Sequence, residues 1–358
     1  MDPTQFDRRH LLAGGGAVFF CTLAGHKLSM DKPANLPKLA SGVPVPPAVS
    51  KADRAGKAGA TEAAASQKAG TRQYWIRAEK VRWNIVPTHR DQMMNHRVKG
   101  RTGFDAYAYR RYTANFGRPM GPPTIPGPLI EANVGDQVVV HFQNRVDVPT
   151  TMHPHGIFYS EEMDGAYKGA FTDPGGFVQK NRNFTYVWEA RADSVGTWLY
   201  HDHGPMDPVP VFKGMFGPLI VRDPSAPNPP DKEFFLVMHS FSPVATGLNQ
   251  QFACINGRAY AGNTPTLRAR VGQRVAFHVI ALDDDFHTFH LHGHRWADTS
   301  GYGTQGNPGA GKTVDTKTMG PGESFTFEFV EDNPGRWFYH CHVFSHLHMG
   351  MNGWYIVS

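Results

Sequence analysis

One stretch of this chain occurs twice. Pro128-Leu-Ile-Glu-Ala-Asn-Val-Gly135-Asp-Gln-Val138-Val-Val-His141 aligns with Pro265-Thr-Leu-Arg-Ala-Arg-Val-Gly272-Gln-Arg-Val275-Ala-Phe-His278, 137 residues further on. In both copies apolar residues alternate: Ile130, Ala132 and Val134, then Leu267, Ala269 and Val271. A period of two marks a strand with one buried face. A second pair, Gly196-Thr-Trp198-Leu-Tyr200-His-Asp-His203 and Gly335-Arg-Trp337-Phe-Tyr339-His-Cys-His342, repeats at an offset of 139. Repetition at domain scale predicts an all-β chain of two homologous sandwich domains. Their expected bounds are 72–222 and 223–358, with a Pro-rich seam at 223–231.

The 358 residues suffice for two separate cores, and Gly 38 with Pro 28 favours short strands and many turns. The net charge of +5 resides wholly in residues 1–72, which hold ten Lys/Arg against five Asp/Glu; the remainder carries 26 of each sign. A neutral folded part implies neither nucleic acid nor an anionic membrane as partner. No apolar run reaches the length of a stable membrane span.

Arg8-Arg9 ahead of a weakly apolar stretch, followed by Thr22-Leu23-Ala24, resembles a twin-arginine export signal over residues 1–29. The expected destination is extracellular or periplasmic. Residues 30–71, rich in Ala, Lys, Gly, Pro and Ser, read as a flexible linker. Of the three cysteines, Cys21 falls in the signal, Cys254 reads as a buried thiol, and Cys341 has a separate part to play.

That part lies among the histidines. Nineteen histidines would produce about one His-x-His spacing by chance, yet six occur: 153/155, 201/203, 290/292, 292/294, 340/342 and 346/348. On a strand, residues i and i+2 share a face, so each pair aims two imidazoles into one space. Converging neutral imidazoles bind copper, zinc or iron. In His340-Cys341-His342 the histidines face one way and the cysteine the other, so one strand touches two sites. His287 has opposite parity to His290 and His292 and belongs with Cys341, while His346 and Met351 lie at loop distances that return to it. One cysteine, two histidines and a distant methionine constitute a blue-copper electron-transfer site. The other face collects His153, His155, His201, His203, His290, His292, His340 and His342, enough for three further coppers.

The segments His153-Pro-His155-Gly, His201-Asp-His203, His287-Thr-Phe-His290-Leu-His292-Gly-His294 and His340-Cys-His-Val-Phe-Ser-His346-Leu-His-Met-Gly-Met351 resemble the four copper signatures of multicopper oxidases. With two domains the chain is most similar to bacterial two-domain laccases. The resemblance implies two cupredoxin-like Greek-key domains and four copper ions. It places type 1 copper on His287, Cys341, His346 and axial Met351, and type 2 copper on His153 and His290. His155, His201 and His342 would hold one type 3 copper, and His203, His292 and His340 the other. It implies a small-molecule electron donor, O2 as acceptor and a homotrimer that completes each cluster between subunits. Asp164 and Asp315 are the carboxylates expected to relay protons, and Tyr159 is read as a packed tyrosine. His89, His96, His141, His239, His278, His294 and His348 match no ligand position.

In domain one the counterparts of Cys341 and His287 are Asp202 and Thr150, so that domain should lack a blue site. This argues against a copper nitrite reductase, whose blue site belongs in the first domain. A complete ligand set argues against a non-catalytic cupredoxin. Among oxidases, phenols or aromatic amines are the expected donors, with Fe(II) or Cu(I) as the alternative. The type 1 histidines are expected to meet the donor at an exposed edge.

Overall fold

The computed structural model describes residues 70–226, 229–298 and 313–358. The export signal at 1–29 and the linker up to residue 69 lie outside the described residues. Thr71, assigned to the linker from sequence, is already the first residue of a strand and pairs with Gln137.

The regular secondary structure of the described chain is nearly all strand and forms two copies of one topology. In the first copy, one sheet runs Gly103–Tyr112, Thr71–Asn84, Gln137–Asn144, Asn183–Glu189, and its partner runs Ile130–Asn133, Phe216–Arg222, Gly196–His201, His153–Pro154. The second copy repeats both orders. One sheet runs Phe252–Ile255, Lys232–Phe241, Arg274–Leu282, Ser324–Val330. The other runs Leu267–Ala269, Asn352–Val357, Gly335–Cys341, His287–Leu291, with Thr316–Met319 added at its edge. Each sandwich buries its alternating apolar faces in its own core: Ile76, Val140, Phe142 and Trp188 in the first, Phe277, Phe289, Phe327 and Tyr355 in the second.

A third apolar cluster joins the copies. Trp83, Phe104, Leu199 and Phe216 pack with Val237, Phe241, Cys254 and Ile280. The Trp83 indole N–H donates to the Gly257 carbonyl at 2.6 Å, and the Arg258 guanidinium lies 3.9 Å from its ring centre. Beside this seam a partly buried polar chain runs from Thr197 to His278 Nδ1 at 2.7 Å. It continues from His278 Nε2 to Glu233 at 3.0 Å and from Glu233 to Arg222. His278 is therefore an interdomain hydrogen-bonding residue, whereas His141 is stacked on Trp75 at the surface. Trp83→Ala should cost about 3–5 kcal/mol by removing the largest side chain of this seam. A marked fall in Tm checks this, and an unchanged Tm would mean the two copies are held together elsewhere.

Candidate functional site

The eight histidines of the pairs 153/155, 201/203, 290/292 and 340/342 gather at strand ends, while His346 lies in the short helix Phe344–His348. The strands Gly196–His201 and Gly335–Cys341 stop within or beside their His-x-His pairs, and His153–Pro154 is only two residues long. The second histidine of each pair comes from the turn that follows, not from the strand as strict alternation predicts. After His155 and His292 a left-handed glycine makes that turn. Gly156 after His155 has φ +68°, and Gly293 after His292 has φ +71°. A Cβ there would fall 1.9 Å from the Trp198 ring and 2.6 Å from the Trp337 ring, so only glycine fits against the tryptophan of each Gly-x-Trp repeat.

The eight histidines form two sets of four, one in each domain. In domain one the rings of His153, His155, His201 and His203 lie 5.1–5.6 Å apart where they touch. In domain two His290, His292, His340 and His342 do the same at 4.9–5.5 Å. Among the described residues, no ring contact links one set to the other. The closest approaches are His155 Nε2 to His201 Nε2 and His292 Nε2 to His340 Nε2, both 3.1 Å.

The outer nitrogens are fixed by carbonyl groups, which can only accept. Nδ1–H of His153 donates to Asp164 O (2.7 Å), His201 to Asp202 O (2.7 Å), His290 to Asp315 O (2.8 Å) and His340 to Cys341 O (2.8 Å). Each Nε2 is thereby a bare lone pair facing its neighbours, the arrangement of metal-binding imidazoles. Burial pushes His155 and His340 down to about 4 and His201 down to about 3, so these rings are neutral at pH 7.

The cysteine site lies on the opposite side of the same strand. Phe289 faces Cys341 across the ladder, while His290 faces His340. Cys341 Sγ is 3.7 Å from His346 Nδ1, which is 3.3 Å from His287 Nδ1, and all three residues are buried. Sγ also accepts Thr288 N–H at 3.3 Å. Met351 is fully buried in the same core, and its carbonyl accepts Cys341 N–H at 3.0 Å. Two imidazoles and a thiol, with a methionine packed in the same core, are the residue types of a blue-copper site.

The exposed imidazole edge expected here is absent: His287 is 0% and His346 3% exposed. Two acids of the run Asp283-Asp284-Asp285 approach them. Asp285 places a carboxylate oxygen 3.4 Å from His346 Nε2 and is itself exposed, while buried Asp283 lies 3.7 Å from His287 Nε2. Burial pushes His287 down to about 3 and Asp283 up to about 6. Sequence reasoning missed these acids, although they stand directly ahead of His287 in the chain.

Asp164 and Asp315 both reach the site. Asp164 Oδ1 is 3.0 Å from His153 Nδ1, and Asp315 Oδ1 is 3.9 Å from His290 Nδ1. Tyr159 lies 5.9 Å from His153, ring to ring. His294, in contrast, is a buried core residue: it bonds Glu331 at 2.8 Å, and Glu331 also accepts the Tyr355 hydroxyl.

Family models described as multicopper oxidase match residues 123–226 and 229–358. The chain belongs to the multicopper oxidase family. It is 32% identical over 255 residues to a probable nitrite reductase-hydroxylamine oxidoreductase fusion protein of Kuenenia stuttgartiensis, covering 66% of this chain and 28% of that protein. It is 26% identical over 354 residues to ferroxidase HEPHL1 of Homo sapiens, covering 80% and 29%. The chain thus spans less than a third of the length of these relatives. A solved multicopper oxidase superposes with a TM-score of 0.62 at 25% identity, covering 80% of this chain and 89% of that one.

Neutral buried imidazoles make the copper-free protein sensitive to acid. Above the ordinary histidine value of 6.5 neither state binds these protons; below it the unfolded chain binds protons that the native rings refuse. Stability is therefore fully present above 6.5 and lost as pH falls toward the folded values of about 3–4. Melting curves of the copper-free protein should show Tm falling across that window. A flat profile would mean the rings are not held neutral.

Proposed function

We propose that this chain is a four-copper oxidase of laccase type, which takes single electrons from a small reduced donor and passes them to O2. The observation that carries this reading is the His340-Cys341-His342 segment. Its cysteine meets His287 and His346 on one side, and its histidines meet His290 and His292 on the other. Bound copper would supply one-electron oxidation at the cysteine site and reduction of O2 to water at a three-metal cluster. His287, Cys341, His346 and Met351 would hold the first ion. The two 3.1 Å nitrogen pairs, His155/His201 and His292/His340, fall within the two triplets assigned to the type 3 ions. His153 and His290 would hold the type 2 ion, each backed by an acid.

The chain's own part is to fix these nitrogens through carbonyl acceptors, to join the two sites through the backbone of one strand, and to deliver protons. Asp164 and Asp315 are placed to hold and release a proton beside His153 and His290. Asp164→Asn or Asp315→Asn should lower O2 turnover by at least 10-fold, within the range for general acid–base groups. The blue absorbance should be unchanged. Full turnover in both variants would remove the relay role.

Each domain presents half a cluster, so completing it takes a second copy of the chain. A homotrimer, with domain one of each subunit against domain two of the next, closes all three clusters. Dilution or mild dissociation should then release cluster copper while the blue site, built within one chain, persists. A monomer with full copper and activity would exclude the trimer.

A second reading concerns the donor. Exposed Asp285 beside His346 suits a cation better than a neutral phenol, and one similar protein is named a ferroxidase. If Fe(II) is the donor, Asp285→Asn should lower kcat/KM for Fe(II) by roughly 10-fold or more while a methoxyphenol is little affected. Equal effects on both would favour the phenol.

A further inference from the structure

The domain-one counterpart of the cysteine site is a closed hydrogen-bonded knot. In domain two, Cys341 N–H donates to Met351 O and Met351 N–H to His346 O, both at 3.0 Å. In domain one, Asp202 N–H donates to Met215 O and Met215 N–H to Pro210 O, again both at 3.0 Å. Thr150 precedes His153 by three residues, as His287 precedes His290. The positions of His287, Cys341, His346 and Met351 are thus occupied by Thr150, Asp202, Pro210 and Met215. Only the methionine is kept.

Asp202 and Thr150 are fully buried. The Asp202 carboxylate accepts the Thr150 hydroxyl, Thr151 N–H at 2.7 Å and Gly204 N–H at 3.3 Å. The Thr150 hydroxyl oxygen also sits 3.4 Å from the Met215 sulfur. Thr151 returns the bond, its hydroxyl oxygen accepting His203 N–H at 3.0 Å. A buried carboxylate is costly to keep unless its oxygens are bonded, and this one is bonded on both. The bonds tie the segment bearing His201 and His203 to the segment leading into His153 and His155.

We propose that Asp202 is a positioning residue. Through Thr150 and Thr151 it sets the spacing of the domain-one histidines. In domain two, copper held by Cys341 and His287 would link the equivalent strands; in domain one the Asp202–Thr150 and Asp202–Thr151 hydrogen bonds supply a cross-link from the protein itself. The inference rests on the oxidase reading above, because the spacing matters only if these histidines share a cluster.

The test is competition for Cu(II) between a chelator and the copper-loaded protein, with EPR and visible absorbance recorded together. Asp202→Ala and Thr150→Val should each weaken cluster copper by about 10-fold or more, the usual cost of removing an outer-shell partner. The spin-coupled pair should be lost and the blue absorbance of the Cys341 site unchanged. Asp202→Asn should retain most of the cluster copper, since its amide oxygen still accepts from Thr150 and Thr151. Wild-type cluster affinity in Thr150→Val, or blue and cluster copper lost together, would overturn the proposal. Thr150→Val preserves volume and decides the matter if Asp202→Ala does not fold. Wild-type protein that binds blue copper but never assembles a cluster would overturn the oxidase reading instead.

Discussion

Two cross-strand pairs govern this structure: His153 opposite His201, and His290 opposite His340. Antiparallel register places their rings together and fixes what lies on the reverse face. Because Phe289 faces Cys341 in the same ladder, the cysteine is turned into the domain core toward His287 and His346. A slip of one residue would exchange those faces and destroy both sites at once. The register is held by buried side chains on either side of it, Tyr339 and Phe289 in domain two and Tyr200 in domain one.

The glycine–tryptophan contact is the second element of this design, and it is duplicated. In each domain a left-handed glycine ends the strand after a histidine and lets a tryptophan cover the turn, the indole N–H bonded to a carbonyl four residues back, Ser194 or Asn333. The histidines therefore sit where the strands of each sandwich end, at the turns that these tryptophans cover. At the cysteine site the duplication is incomplete. Domain two keeps a sulfur and nitrogen site behind its histidines, and domain one has closed the same space with a threonine and a carboxylate.

Much of this was legible in the chain because strand chemistry is local. A spacing of two residues makes imidazoles share a face wherever the strand is placed, so the ligand types and their grouping follow from sequence. The opposite parity of Cys341 follows in the same way, and so does the absence of a blue site in domain one. Acids in loops carry no such periodicity. Asp283 and Asp285 approach His287 and His346, and only the loop's path shows it. His278 and His294 looked idle for the same reason: their partners Glu233 and Glu331 are 45 and 37 residues away.

The sequence by itself determined the duplication, the all-β class, the family and the set of candidate metal ligands, since each is written in repeats and short spacings. Only the tertiary structure decided that each set of four histidines closes to ring contacts of 4.9–5.6 Å, with outer nitrogens held by backbone carbonyls. It likewise decided that the cysteine site is approached by carboxylates, and that Asp202 is knotted to Thr150. Asp202–Thr150 and Asp285–His346 join segments more than 50 residues apart in the chain, so their distances are set by where strands and loops return, and no local pattern encodes that.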